Sequence, residues 1–285
     1  NQGIEATLSL IPLQMANSLT WQSRFNFSRN VGKVKKLAEG YDQYVYSWSS
    51  PYDGVDSKVY AIAKEGGNMG DIYGTGFKHT DDGSIIVDNS GLPVPDPTLV
   101  KLGNYNPDFI LGWWNKISYK GFNLQFLFDW HQGGEFVSRT YGMGMESGVL
   151  KDTEDRRPEK MVVDGKVFDE ATQSYIQNTK QVSPRDYYRN LYRRFHETQL
   201  TFSATFIKLR ELSFGYTFPS VWFRSTPIRQ LGVDVVVRNP WMWTKGQKTV
   251  DPEVVDYKDG RITPGVEEMS YPSTRSIGFS IHVTL

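Results

Sequence analysis

The chain has 285 residues, with 32 basic and 32 acidic side chains and no cysteine. Balanced charge removes the net field that would draw it to nucleic acid or anionic lipid, and the absence of thiols excludes disulfides and thiolate chemistry. No uncharged apolar run approaches the roughly 18 residues of a spanning helix, but a spanning strand needs only about 9–11 alternating residues.

The chain opens Asn1-Gln2-Gly3-Ile4 with no initiator Met, basic segment or apolar run, so a mature or internal piece of a longer protein is expected. Alternation with period two then recurs in seven places. In 4–13, Ile4, Ala6, Leu8 and Leu10 oppose Glu5, Thr7 and Ser9. In 18–29, Leu19, Trp21, Phe25 and Phe27 oppose Thr20, Gln22, Arg24 and Asn26. Segment 107–119 sets Phe109, Leu111, Trp113 and Ile117 against Asp108, Lys116 and Ser118. The cleanest case is 121–131, where Phe122, Leu124, Phe126, Phe128 and Trp130 alternate with Asn123, Gln125, Leu127, Asp129 and His131.

Segment 201–218 changes phase. Ile207 and Leu209 are odd, whereas Leu212, Phe214, Tyr216 and Phe218 are even, which predicts a bulge near Arg210-Glu211. Segment 228–239 sets Leu231, Val233, Val235 and Val237 against Asp234 and Arg238. Finally 274–285 sets Ile277, Phe279, Ile281, Val283 and Leu285 against Ser276, Gly278, Ser280 and His282.

The fold class is therefore all-β, and alternation alone favours a soluble sandwich. The connections reverse that preference. They run short (14–17), very long (30–106), a tight turn at Lys120, very long (132–200), short (219–227) and moderate (240–273). Short connections alternating with long ones are the signature of a transmembrane antiparallel β-barrel with brief periplasmic turns and long extracellular loops. Trp21, Trp113, Tyr119, Trp130, Tyr216 and Phe218 lie near expected strand ends, where an interfacial girdle belongs. With the short turns periplasmic, the last strand runs toward the periplasmic rim. Seven strands in lipid would leave about five N–H and five C=O groups unpaired on each edge, tens of kcal/mol in all, so the remaining strands are expected from elsewhere in the same protein.

Several segments taken together resemble one family. They are Asn106-Pro107-Asp108-Phe109, Ser118-Tyr119-Lys120-Gly121-Phe122, Phe128-Asp129-Trp130-His131-Gln132-Gly133-Gly134, the run Phe206 to Pro219, Arg238-Asn239-Pro240-Trp241, Asp251-Pro252-Glu253 and Pro272-Ser273-Thr274-Arg275. In order and spacing the chain resembles the C-terminal barrel part of the SusC/RagA-like TonB-dependent outer-membrane transporters. The resemblance implies that residues 1–285 supply the last seven strands of a 22-strand barrel whose plug and N-terminal strands lie outside this chain. It further implies energy coupling through TonB, a SusD-like surface lipoprotein as lid, and import of oligosaccharides or peptides. The chain ends in Leu285, where members of the family often end in an aromatic residue.

The two long loops are rich in rings. Tyr44, Tyr46 and Trp48 in the first, and Tyr141, Tyr187 and Tyr188 in the second, are candidates for contact with substrate or lid, against the alternative that they pack the loops together. Arg24, Lys116, Asp129, Asp234 and Arg238 are the lumen-facing candidates, against a satisfied internal charge network. Segment 183–195 reads as a loop helix, with Ser183 as cap, Pro184 at the first helical position and Asp186 in the first turn; Arg189, Arg193 and Arg194 read as a solvated basic face, against the alternative that they meet an anionic partner. The acidic stretch Asp251, Glu253, Asp256 and Asp259 offers oxygen atoms for calcium but lacks EF-hand spacing. Tyr73-Gly74-Thr75-Gly76 and Gly142-Met143-Gly144 lack the context of a nucleotide loop, and His79, His131, His196 and His282 are scattered. No catalytic site, metal site or cofactor is expected. The readings from other classes are a soluble carbohydrate-binding β-sandwich and a surface structural or adhesin barrel.

Overall fold

In the computed structural model the described residues are 1–15, 19–49, 58–154, 160–192, 196–254, 256–258 and 261–285. Seven strands form one antiparallel meander in which each strand pairs with its neighbours in sequence. They are β1 (Gln2–Gln14), β2 (Leu19–Val31), β3 (Phe109–Tyr119), β4 (Phe122–Gln132), β5 (Phe206–Thr217), β6 (Gln230–Thr244) and β7 (Ser276–Thr284). All seven fall where alternation predicts them. Among the described residues β1 and β7 each pair on one side only.

Directly paired residues share a face, so the register carries the apolar stripe across the whole sheet. One row runs Leu8, Phe25, Trp113, Phe128, Leu209 and Trp241; another runs Leu124, Phe214, Val235 and Phe279. The predicted bulge is present. Leu209 pairs with Phe128 and Glu211 with Leu127, so Arg210 is the extra residue that returns Leu212 to the apolar face. On the other side Asn239 and Pro240 lie opposite Arg210, Asn239 with φ +50°, and β6 continues past the proline to Thr244 instead of ending at 239. A bulge tolerates proline because no ladder N–H is required there. The same device occurs at Ile11-Pro12 in β1, where the register shifts between Leu10 and Leu13.

Segment 201–218 is not one strand. Thr201–Ser203 pairs with Glu135–Ser138 in a separate small sheet, and the backbone turns at Ala204, whose N–H donates to Gly134 O, before β5 begins. The β3–β4 hairpin turns through Lys120 (φ +45°) and Gly121 (φ +90°), the positive pair that a two-residue primed turn requires. The three short connections lie at one end of the sheet and the three long ones at the other. Thr284 pairs with Gln230, so β7 runs toward the short-turn end.

The apolar face is not packed against a second sheet. Ile277, Phe279 and Ile281 are 70%, 82% and 70% exposed, and Ile4, Leu8 and Phe214 are exposed as well. The buried core lies instead in the long loops. Val59, Ala61 and Ile72 from the first loop, Val137, Tyr141, Met145, Tyr188 and Leu200 from the second, and Val266 from the third form one cluster. Around it stand a four-stranded sheet (Gln43–Ser49, Val59–Lys64, Asp71–Phe77, Pro95–Asn104) and two helices, α1 (Arg139–Ser147) and α2 (Pro184–Tyr192). The loops are therefore a folded layer with its own hydrophobic interior.

Both helices carry local start signals. Ser138 Oγ accepts from Tyr141 N at 3.2 Å, and Gly148 (φ +72°) closes α1. Ser183 Oγ accepts from Asp186 N at 3.1 Å and donates to Asp186 Oδ2 at 2.7 Å, which is the predicted cap. Arg193 and Arg194 lie outside the described residues, and Arg189 is exposed. The glycines of Gly142-Met143-Gly144 sit within α1, where a Cβ on Gly142 would meet Leu200 at 2.8 Å; close packing is their role.

Candidate functional site

All five lumen candidates lie on the polar face. Arg24 is paired with Trp114, Lys116 with Gln22 and Gln125, Asp129 with Gly112 and Lys208, Asp234 with Gly215 and Ser280, and Arg238 with Glu211 and Ser276. The Arg24 guanidinium lies 5.7 Å above the Trp114 ring, and Arg238 Nε is 3.6 Å from Glu211. Asp234 Oδ2 is 3.0 Å and Ser280 Oγ 3.1 Å from the same nitrogen, His282 Nε2. A nucleophile–base–orienter relay needs both ring nitrogens, so these three do not make one.

The densest chemistry on this face is a cluster that no local pattern announces. Arg210 is the bulged residue of β5, and Lys208 lies two residues before it on the same face. Lys208 is 2% exposed, and its Nζ donates to both carboxylate oxygens of Asp251, at 2.8 and 2.6 Å, and to Glu253 Oε2 at 2.5 Å. Arg210 grips Glu253 with Nη1 at 2.7 Å and Nη2 at 2.6 Å, and its Nε donates to Asp129 Oδ2 at 2.8 Å. His131 Nε2 stands 3.4 Å from Asp129. Burial pushes the Glu253 carboxyl up, but Arg210 and Lys208 outweigh it and hold the group at about 2. This arrangement also answers the calcium reading: Asp251 and Glu253 are engaged by two cations. Asp259 lies outside the described residues, and no group of carboxylates and histidines poised for a metal occurs among the described residues.

The six ring candidates divide by exposure. Tyr44 and Trp48, on the edge strand Gln43–Ser49, are 58% and 50% exposed, and Lys58 lies over the Trp48 ring at 5.1 Å. Tyr46 is half-buried and accepts from Gly70 N at 2.9 Å. Tyr141 and Tyr188 are buried members of the loop core, with Tyr187 packed beside them, so these three hold the loops together rather than present a free surface. Tyr141 Oη donates to Asp152 at 3.0 Å; burial raises its pKa and pushes Tyr192 up to about 12, so both hydroxyls are protonated and neutral.

Rings also mark the rims. At the short-turn end Phe122 meets Tyr216 at 4.7 Å, Tyr216 meets Phe218 at 5.1 Å and Phe218 meets Trp222 at 5.7 Å. At the loop end Phe109 meets Trp130 at 5.0 Å, and Trp243, in register with Trp130 through Ile207, extends that rim. Trp113 is instead mid-face, stacked between Phe25 and Phe128.

No family model matches the chain. It is 25% identical over 289 residues to TonB-dependent receptor P3 of Formosa agariphila, which covers 93% of this chain and 26% of that protein. TonB-dependent receptor P39 of the same organism is 22% identical over 342 residues, covering 99% of this chain and 30% of the relative. The fold matches that of the RagAB peptide importer in its closed-closed state with a TM-score of 0.65 at 18% identity, over 99% of this chain. The open-open state of that importer matches at 0.56 and 17%. The chain is similar in sequence to TonB-dependent receptors and in fold to the RagAB importer. It spans about a quarter to three tenths of the length of these relatives.

Proposed function

We propose that residues 1–285 are the C-terminal wall of a TonB-dependent transporter that imports nutrients across the bacterial outer membrane. In this reading the seven strands close with strands from the rest of the protein into a 22-strand cylinder. The observation that carries it is the exposed apolar face: a continuous seven-strand stripe with no covering sheet, while the buried core sits in the loops. Lipid supplies the missing apolar partner, and closure supplies partners for the free edges of β1 and β7. A soluble carbohydrate-binding sandwich would bury this stripe, so that reading loses its support.

The remaining partners follow from the same reading. A plug sits within the cylinder, where Arg24, Lys116, Asp129, Asp234 and Arg238 contact it or line the passage, and TonB engages an N-terminal segment. A SusD-like lipoprotein closes over the loop layer, with Tyr44 and Trp48 as exposed ring contacts. The substrate is an oligosaccharide or a peptide, and no covalent step or cofactor is involved. The structural relative RagAB is a peptide importer, which favours peptide on that ground alone.

The test is fractionation and uptake with the full-length protein. A heat-modifiable band in outer-membrane fractions, extracted only with detergent, and TonB-dependent uptake of labelled peptide or oligosaccharide are expected. Recovery as a detergent-free monomer would refute the barrel. Membrane insertion with no TonB-dependent uptake of either class would leave a structural or adhesin barrel in its place.

A further inference from the structure

Lys208 projects from the polar face of the sheet, the side that faces water and cargo in a barrel, yet it is almost fully buried. Something must cover it, and the covering segment is the start of the third long loop. After Thr244 the chain leaves β6 and turns back, so that Asp251 and Glu253 reach Lys208 and Arg210 on the wall. The turn is closed locally: Glu253 N donates to Asp251 Oδ1 at 3.0 Å and Val254 N to Asp251 O at 3.1 Å. The same loop is tied elsewhere at its far end. Val266 pairs with Val137, Glu267 accepts from Ser138 Oγ at 2.8 Å and Thr140 Oγ1 at 2.6 Å, and Arg139 Nη1 lies 3.0 Å from Glu268.

We propose that segment 245–254 is a fixed inward constriction of the transport passage, held against the wall by Lys208 and Arg210, and that it limits the size of the cargo that passes. This rests on the barrel reading, since it needs the polar face to line the passage. The physical reasons are three. A loop that serves as a moving lid is drawn from weakly held segments, whereas this one is anchored to two layers. Its anchors are charge-assisted hydrogen bonds, Arg210 holding both Glu253 oxygens, and these are the strong and geometrically specific kind. Releasing Asp251 would strand a buried ammonium, so the released state is costly. The β5 bulge sets up the device, because the extra residue there lets Lys208, Arg210 and Glu211 share one face.

The experiment uses the full-length transporter in outer-membrane vesicles with a single reporter, Met242→Cys, on the polar face directly opposite Lys208. Labelling rates are compared for N-ethylmaleimide and for a polyethylene-glycol maleimide several times larger. With the clip intact the small reagent is expected to react at least an order of magnitude faster than the large one. Adding Asp251→Asn and Glu253→Gln is expected to bring the two rates within a few fold. Equal rates with the clip intact, an unchanged ratio after release, or no reaction with either reagent after release would each overturn the constriction. Absence of the protein from the vesicles would instead refute the barrel reading, so the two failures are distinguishable.

Discussion

Val235 and Val236 are neighbours in sequence on opposite faces of β6, and they offer the sharpest test of what the sheet faces. Val235 lies between Phe214 and Phe279 on the apolar side; Val236 lies between Ser213 and Gly278 on the polar side. A Cβ on Gly278 would meet nothing within 4 Å, so the polar side has room for a long side chain there. In the proposed barrel, Val235→Arg places a guanidinium among acyl chains. That costs roughly 2–4 kcal/mol at mid-depth, a factor of about 30 to 1,000 in folded population. Val236→Arg projects into the water-facing interior and is expected to cost within about 0.5 kcal/mol. Urea titration of the full-length protein in phospholipid vesicles, followed by the heat-modifiable band, measures both. Equal costs, or a larger cost at 236, would refute the assignment of faces.

The loop layer makes a separate prediction, because Ile72 is fully buried there: Ile72→Ala should lose roughly 2–5 kcal/mol of local stability. Hydrogen exchange should rise in 59–77 and 135–147 while β3 to β5 keep their protection. Lys208→Met leaves Asp251 buried without its cation and should destabilise segment 245–254 by about 3–5 kcal/mol, most of it recovered when Asp251→Leu is added. Thermal melts of the single and double variants decide that. For Glu253 the folded value lies below the ordinary one, so its contribution is present above the ordinary carboxylate range and is lost as pH falls through about 2. Exchange protection of 249–254 should therefore persist at about pH 4 and fail by about pH 2; loss already at pH 4 would contradict the ion pairing.

The seven wall strands were legible because alternation is a property of neighbouring residues, and every strand carries an apolar and a polar side. The bulge at Arg210 was legible for the same reason, through the phase change between Leu209 and Leu212, and so was the cap at Ser183. The break at Ala204-Thr205 was not, since Phe202, Phe206 and the residues between them read as one extended run. Only pairing of Thr201–Ser203 with Glu135–Ser138 separates the two pieces. The end of β6 was not legible either: alternation places it at 239, but the strand runs on through Pro240 because the bulge at Arg210 removes the demand for a proline N–H.

The sequence by itself determined which residues form the wall, which face of it is apolar, where the short turns lie, and hence the family likeness. Only the tertiary structure decided that the long loops share one core, that Tyr141 and Tyr188 are spent inside it, and that Asp251 and Glu253 answer Lys208 and Arg210. Wall strands obey a repeating solvent boundary that every second residue records. The loop contacts join single residues from distant segments, such as Ile72, Val137 and Val266, and no local period records those meetings.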